Sequence, residues 1–196
     1  MTLKGQGAVT LTASIDGEKL TKAFPAGGDN VKFDWAVPVS VPLKKADRYL
    51  AAVEKAGEAG SAKHTTALIN LAFGTRDLYV DAERKAKIGE LTATVAPELD
   101  GHQKAVLDAL QSDAAGLQKI LDEHRKPYRG SEADAWFADA EVLAKLKRGV
   151  AAFVKNPAAD ERARKQMAQM LEETGKKMKT FAFRADVDAL VSKVKG

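Results

Sequence analysis

The stretch VKFDWAVPVSVPLKK, residues 31–45, sets the expectation for the amino-terminal part of the chain. Apolar residues occupy every odd position from Val31 to Leu43, which is the period of a β-strand. Pro38 and Pro42 interrupt the stretch, and a proline has no N–H to donate to a neighbouring strand. Because the two prolines are four residues apart, they remove donors from the same side. The stretch is therefore predicted to be an edge strand or an extended arm.

Two interpretations of this strand stay open. In the first, the prolines only prevent sheets of different molecules from pairing edge to edge. In the second, the segment leaves its own sheet after Trp35 and lies in a groove of another subunit by strand addition. Its thirteen residues exceed the ~5–6 of a typical strand, which favours the arm. The predicted protein interface is then Trp35, Val37, Pro38, Val39, Val41 and Pro42.

A β-hairpin is predicted upstream of this stretch. Apolar and polar residues alternate from Val9, and the dipeptide Asp16-Gly17 is a strong signal for a two-residue turn. Such a turn places Val9 opposite Phe24 and Ala13 opposite Leu20, so that apolar residues share a face. Together with residues 31–43, the hairpin forms a predicted β-meander.

Beyond Lys44 the apolar spacing becomes that of helices. We expect a first helix with Ala46, Tyr49, Leu50 and Val53 on one face, and a long helix over residues 62–87 with a candidate bend at Gly74. The stretch GELTATVAPELDG is interpreted as an interruption. One helix is then predicted to carry the stripe Val106, Leu110, Leu117, Leu121 and His124.

The carboxyl-terminal third is predicted to form three further helices. Ser131 and Asp134 resemble a capping box that opens a helix carrying Trp136. A helix from about Asp160 carries Met167, Met170 and Met178, a stripe that suits either ordinary core or an adaptable groove. A short extended piece containing Phe181 and Phe183 follows, and helical spacing returns at Val187, Leu190, Val191 and Val194.

The expected fold class is therefore α+β. Residues 1–43 form a β-meander and extended arm, and residues 44–196 form an α-helical body of five or six helices. No apolar run approaches the ~20 residues of a membrane span, and the first residues lack the apolar segment of a secretory signal. We expect a cytoplasmic or virion protein.

Several kinds of chemistry are disfavoured by the residues. The chain has no cysteine, which excludes disulfides and thiolate chemistry. Gly60 and Lys63 are separated by two residues, which departs from the contiguous glycine and lysine of a phosphate-binding loop. The three histidines lack metal-ligand spacing, and no G-x-S-x-G nucleophile motif is present. We expect no enzyme, no cofactor, no metal and no small-molecule substrate.

A basic and aromatic patch near the carboxyl terminus is the second candidate site. In nucleic-acid interfaces, cations contact phosphates while aromatic rings stack on bases. The alternative is structural: lysines favour the end of a helix, and the two phenylalanines anchor a returning strand in the core. The patch consists of Lys176, Lys177, Lys179, Phe181, Phe183 and Arg184.

From these observations the leading hypothesis is a non-catalytic structural or assembly subunit. It engages protein neighbours through the amino-terminal arm, as a homo-oligomer or in a large assembly such as a bacteriophage virion. The alternative is a nucleic-acid-binding protein, for example a DNA-binding one, that uses the basic and aromatic patch. The net charge of +4, from 31 basic and 27 acidic residues, does not decide between these two hypotheses.

Overall fold

The computed structural model describes residues 9–15, 18–24, 40–112, 116–155 and 160–195. These residues form two β-strands, eight α-helices and a 3₁₀ turn at Lys126–Tyr128. The strands are β1 (Val9–Ile15) and β2 (Glu18–Phe24). The helices are α1 (Ser40–Glu54), α2 (Ala62–Thr75), α3 (Ala82–Thr92), α4 (Val95–Ser112), α5 (Leu117–Arg125), α6 (Ala133–Val154), α7 (Glu161–Lys177) and α8 (Arg184–Lys195).

The expected α+β class is wrong, because the described residues are mainly helical and form eight helices instead of five or six. Strands β1 and β2 pair antiparallel, with Val9 opposite Phe24 and Ala13 opposite Leu20. In the described part of the chain this two-stranded ribbon has no third strand. The described residues therefore do not form the predicted β-meander of an α+β fold. The turn dipeptide Asp16-Gly17 lies outside the described residues.

The end of the proline-containing stretch is helical rather than extended. Helix α1 begins at Ser40, so Val41 and Pro42 belong to its first turn. A proline is tolerated there because the first N–H groups of a helix have no partner within the helix. Val41 is buried, which fixes the start of α1 to the body. The helical body thus begins at Ser40 rather than residue 44, and residues 31–39 lie outside the described part.

Two predicted long helices are each divided in two. The segment over residues 62–87 splits into α2 and α3, which are separated by residues 76–81. The stripe from Val106 to His124 splits into α4 and α5, where Gly116 adopts a left-handed conformation with φ of 85°. The expected interruption before α4 is also shorter, because Pro97 lies in the first turn of that helix. Its position matches that of Pro42 in α1.

The main core lies among helices α4 to α8. Phe137 at its centre stacks on Tyr128 with ring centroids 5.0 Å apart, and Trp136 contacts Phe183 at the same distance. A smaller cluster joins α1 and α2 through Leu50, Val53 and Leu71. The largest fully buried side chains in the described ranges are Leu71, Leu99, Val106, Leu121, Phe137, Leu143, Val150, Leu171, Phe183, Val187 and Val194.

Of the local predictions for the carboxyl-terminal third, some are confirmed and one is wrong. The apolar face of α8 is confirmed, since Val187, Leu190, Val191 and Val194 are all buried. The capping box is wrong: the Ser131 hydroxyl donates to the carbonyl of Tyr128 at 2.6 Å instead of capping α6. Of the methionine stripe, Met167 and Met178 pack against the core while Met170 is exposed. No helix in the described ranges combines the length and apolar character needed to cross a bilayer.

Candidate functional site

An open groove of about 760 Å³ lies between α1 and α2. Four alanines supply apolar surface to its lining: Ala52, Ala56, Ala62 and Ala67. The cations Lys45, Arg48 and Lys63 also line the groove. Lys63 is positioned by the start of α2, where the Ser61 hydroxyl accepts from the His64 N–H at 3.2 Å, as expected for an N-cap. The groove lining therefore combines apolar surface with mainly basic charged groups.

A chain of hydrogen bonds closes one side of this groove. The Tyr49 hydroxyl donates to Glu132 Oε2 at 2.5 Å, and the backbone N–H of Glu132 donates to Asn70 Oδ1 at 2.7 Å. These bonds join α1, α2 and the start of α6. Tyr49 fits because Gly74 has no side chain, and a Cβ there would collide with the tyrosine ring. The polar groups of the groove wall thus hold three helices together.

Ion pairs hold the opposite side of α1 against α3. The guanidinium of Arg84 donates to both carboxylate oxygens of Asp47, at 2.7 and 2.9 Å, and also binds Asp81. The Arg84 hydrogen bond lowers the pKa of Asp47. Lys87, one turn after Arg84 on α3, binds Glu54 at 2.8 Å. These exposed pairs set the orientation of α1 and add little to stability because water screens them.

The structure describes only two of the predicted interface residues. Val41 is buried and Pro42 is half-buried, both in the first turn of α1, so an extended conformation is wrong for this pair. The other four lie outside the described residues: Trp35, Val37, Pro38 and Val39. Any arm therefore ends at residue 39, immediately before α1.

The two phenylalanines of the basic patch do not share a face. Phe181 is 82% exposed, whereas Phe183 is 1% exposed and packs against Trp136. They occupy a turn between α7 and α8 instead of an extended piece. The guanidinium carbon of Arg184 lies 5.4 Å from the centre of the Phe181 ring, which is cation–π distance. Phe183 belongs to the core, and four exposed cations lie within five residues of Phe181 along the chain: Lys176, Lys177, Lys179 and Arg184.

A buried carboxylate holds this turn. Asp139 of α6 is 4% exposed and accepts from the backbone N–H groups of Lys179 and Thr180, at 3.2 and 2.7 Å. The Thr180 hydroxyl donates to the same carboxylate at 2.8 Å. Sequence analysis missed Asp139, although its position three residues after Trp136 puts it on the apolar face of α6.

Two histidines and a tyrosine meet between α4 and the end of α5. The rings of His102 and His124 are 4.8 Å apart, and the Tyr128 hydroxyl lies 3.0 Å from His102 Nδ1. Burial lowers the pKa of His124, and the neighbouring His102 lowers it further. Burial, with smaller effects from Glu98 and Asp100, raises the pKa of Tyr128 to about 12. Among the described residues, no group of three or more His, Cys, Asp or Glu side chains could hold a metal ion. This cluster has only two such side chains, His102 and His124.

Comparison of the chain with protein-family models, curated proteins and solved structures finds no match. Function is therefore argued from the chemistry of this chain. Two surfaces qualify on geometry: the α1–α2 groove and the turn that carries Phe181.

Proposed function

We propose that the protein is a non-catalytic assembly subunit, a component of a virion or another large cytoplasmic complex. Residues 31–39 of one copy dock in the α1–α2 groove of a second copy. The observation that supports this proposal is the position of the groove. It opens beside the helix that follows the arm, with Lys45 only five residues after Ser40.

The dimensions of groove and arm are compatible. The α1 residues of the wall run from Lys45 to Ala52, which spans ~11 Å at the ~1.5 Å rise of a helix. Nine extended residues reach up to ~30 Å, so residues 31–39 are long enough to cover the groove. An alternating segment presents every second side chain to one face, which suits insertion of Val37 and Val39 between alanines.

Charge is compatible with this occupant. Residues 31–39 carry one acidic residue, Asp34, and one basic residue, Lys32, so the arm has no net charge. The groove lining includes three cations and one carboxylate. A neutral arm is not repelled by this lining. Hydrogen bonds among Tyr49, Asn70 and Glu132 hold the groove wall together, so these polar groups have a structural role.

Sedimentation of two variants tests the proposal. Deletion of residues 31–39 removes the arm but keeps Val41 and the first turn of α1. Ala52→Trp fills the groove without touching the arm, and Ala152→Trp on α6 is its control because both alanines are exposed on helices. We expect the deletion and Ala52→Trp to lower the mass of the assembly and Ala152→Trp to leave it unchanged. Helix content by circular dichroism should stay near that of the wild type in all three.

The two variants separate the parts of the proposal. If the intact protein sediments as a monomer at all concentrations, self-assembly is wrong. If the deletion dissociates the assembly while Ala52→Trp does not, the arm docks elsewhere than in this groove.

A further inference from the structure

We propose that the turn between α7 and α8 binds single-stranded nucleic acid, with Phe181 stacking on a base and the surrounding cations contacting phosphates. Phe181 is 82% exposed, and its ring adds little to the stability of the fold because it remains in water. A ring with an accessible face is what base stacking requires. The site differs from the α1–α2 groove, and the inference stands independently of self-assembly.

The turn is held in place before any ligand arrives. Asp139 accepts from two consecutive backbone N–H groups, and Lys176 and Lys177 end helix α7. Two residues beyond Phe181, the buried ring of Phe183 packs against Trp136. Phe181 is therefore presented between two anchored points. A preorganised contact loses less conformational entropy on binding than a flexible one.

Cations outnumber carboxylates along the chain next to Phe181. Residues 176–186 contain four cations and one acidic residue, Asp186, which lies 3.9 Å from Lys147 of α6. The buried carboxylate of Asp139 also lies against this turn, where its three donors satisfy it. Glu172 on α7 is engaged by Lys195 at 2.9 Å. Across the described ranges, none of the four cations forms a salt bridge with a carboxylate. Lys195 lowers the pKa of Glu172, and Lys176 lowers it further from a longer distance. Lys177, Lys179 and Arg184 are exposed and can contact phosphates.

Single-stranded nucleic acid fits this surface better than an anionic membrane. Membrane binding by an amphipathic surface scales with the apolar area that enters the lipid, and here one ring protrudes. Stacking needs one ring only, and Arg184 extends the stack by lying against Phe181. An unpaired strand exposes both bases and phosphates, whereas a duplex hides its base faces.

Fluorescence anisotropy with a labelled oligothymidylate tests the site in the intact chain. We expect binding at low salt that weakens as salt rises, with a log–log slope of about −3 if four phosphates are contacted. Phe181→Ala should weaken binding by about tenfold, within the range for loss of one stacked base. Lys179→Gln and Arg184→Gln should each weaken binding and reduce the magnitude of the slope.

Two controls make the result decisive. Tyr79→Ala removes another exposed aromatic side chain far along the chain and should leave affinity unchanged. Vesicles of phosphatidylserine and phosphatidylcholine provide the second, and we expect weaker association with them than with the oligonucleotide. Absence of oligonucleotide binding at low salt would overturn the proposal. Equal affinity of Phe181→Ala and wild type, or binding to vesicles alone, would also overturn it.

Discussion

The carboxylate of Asp139 lies 2.7 Å from the backbone nitrogen of Thr180, a residue 41 positions later in the chain. This contact joins the second turn of α6 to the turn before α8. A carboxylate that is 4% exposed must have partners, because an unsatisfied charge in the interior is costly. Asp139 has three donors, and they shape the turn that presents Phe181.

Replacement of Asp139 is therefore expected to destabilise the protein. Asp139→Ala leaves buried donors without an acceptor, which costs about 1–3 kcal/mol. Asp139→Asn retains one acceptor oxygen and should cost less. Asp188→Ala on exposed α8 surface is the control and should change stability by no more than about 0.5 kcal/mol. Urea denaturation measures all three, and an Asp139→Ala variant as stable as Asp188→Ala would contradict this role.

A second prediction concerns Gly74 of α2. Alanine is normally favoured over glycine in a helix by about 1 kcal/mol. At Gly74 the new methyl group would collide with the ring of Tyr49, whose hydroxyl is held by Glu132. Displacing the ring breaks that bond and crowds the site, so we expect Gly74→Ala to lower stability by about 1 kcal/mol.

Gly101 provides the matched control for this substitution. It is also helical, and a Cβ there meets nothing within 4 Å. Gly101→Ala should raise the midpoint of urea denaturation, whereas Gly74→Ala should lower it. In a Tyr49→Ala background the obstacle is gone, and Gly74→Ala should then be stabilising. The same sign for Gly74→Ala in both backgrounds would rule out the collision.

The third prediction is a dependence of stability on pH. The pKa of His124 is lowered in the folded state from an ordinary value of 6.5. The unfolded chain therefore takes up a proton first as the pH falls, and stability is lost on acidification from about pH 7 downwards. One such group changes stability by at most about 1.4 kcal/mol per pH unit.

Comparison with His124→Gln isolates this effect. The variant cannot be protonated at this position, so its stability should change less between pH 7.5 and 5 than that of the wild type. Carboxylates with lowered pKa, such as Glu141 beside Lys145, lose their contribution only at lower pH. Parallel curves for the two proteins over that window would show that His124 has no such role.

The sequence predicted helix faces well and helix ends poorly. The faces of α1 and α8 follow from apolar spacing alone, because a helix that packs on one side must repeat its apolar residues every three or four positions. The break at Gly116 was hidden because Leu110 and Leu117 are seven residues apart, a spacing that continues the stripe. When two apolar residues keep helical spacing, their periodicity does not reveal that the backbone turns between them.

The prediction of non-helical structure at Pro42 and Pro97 is wrong. Both prolines lie in the third position of a helix, where a missing N–H removes no hydrogen bond. Asp139 and the pair Tyr49–Glu132 depend on contacts between distant parts of the chain, which no local pattern contains.

The two phenylalanines of the α7–α8 turn supply the last prediction. Phe183 fills the core beside Trp136, so Phe183→Ala should cost about 3–5 kcal/mol, as truncation of buried aromatic residues does. Phe181 is exposed, and Phe181→Ala should alter stability by no more than about 0.5 kcal/mol. Thermal and urea denaturation measure the difference. A large loss of stability in Phe181→Ala would mean that its ring packs within the fold, and an exposed ring would then no longer be available for a ligand.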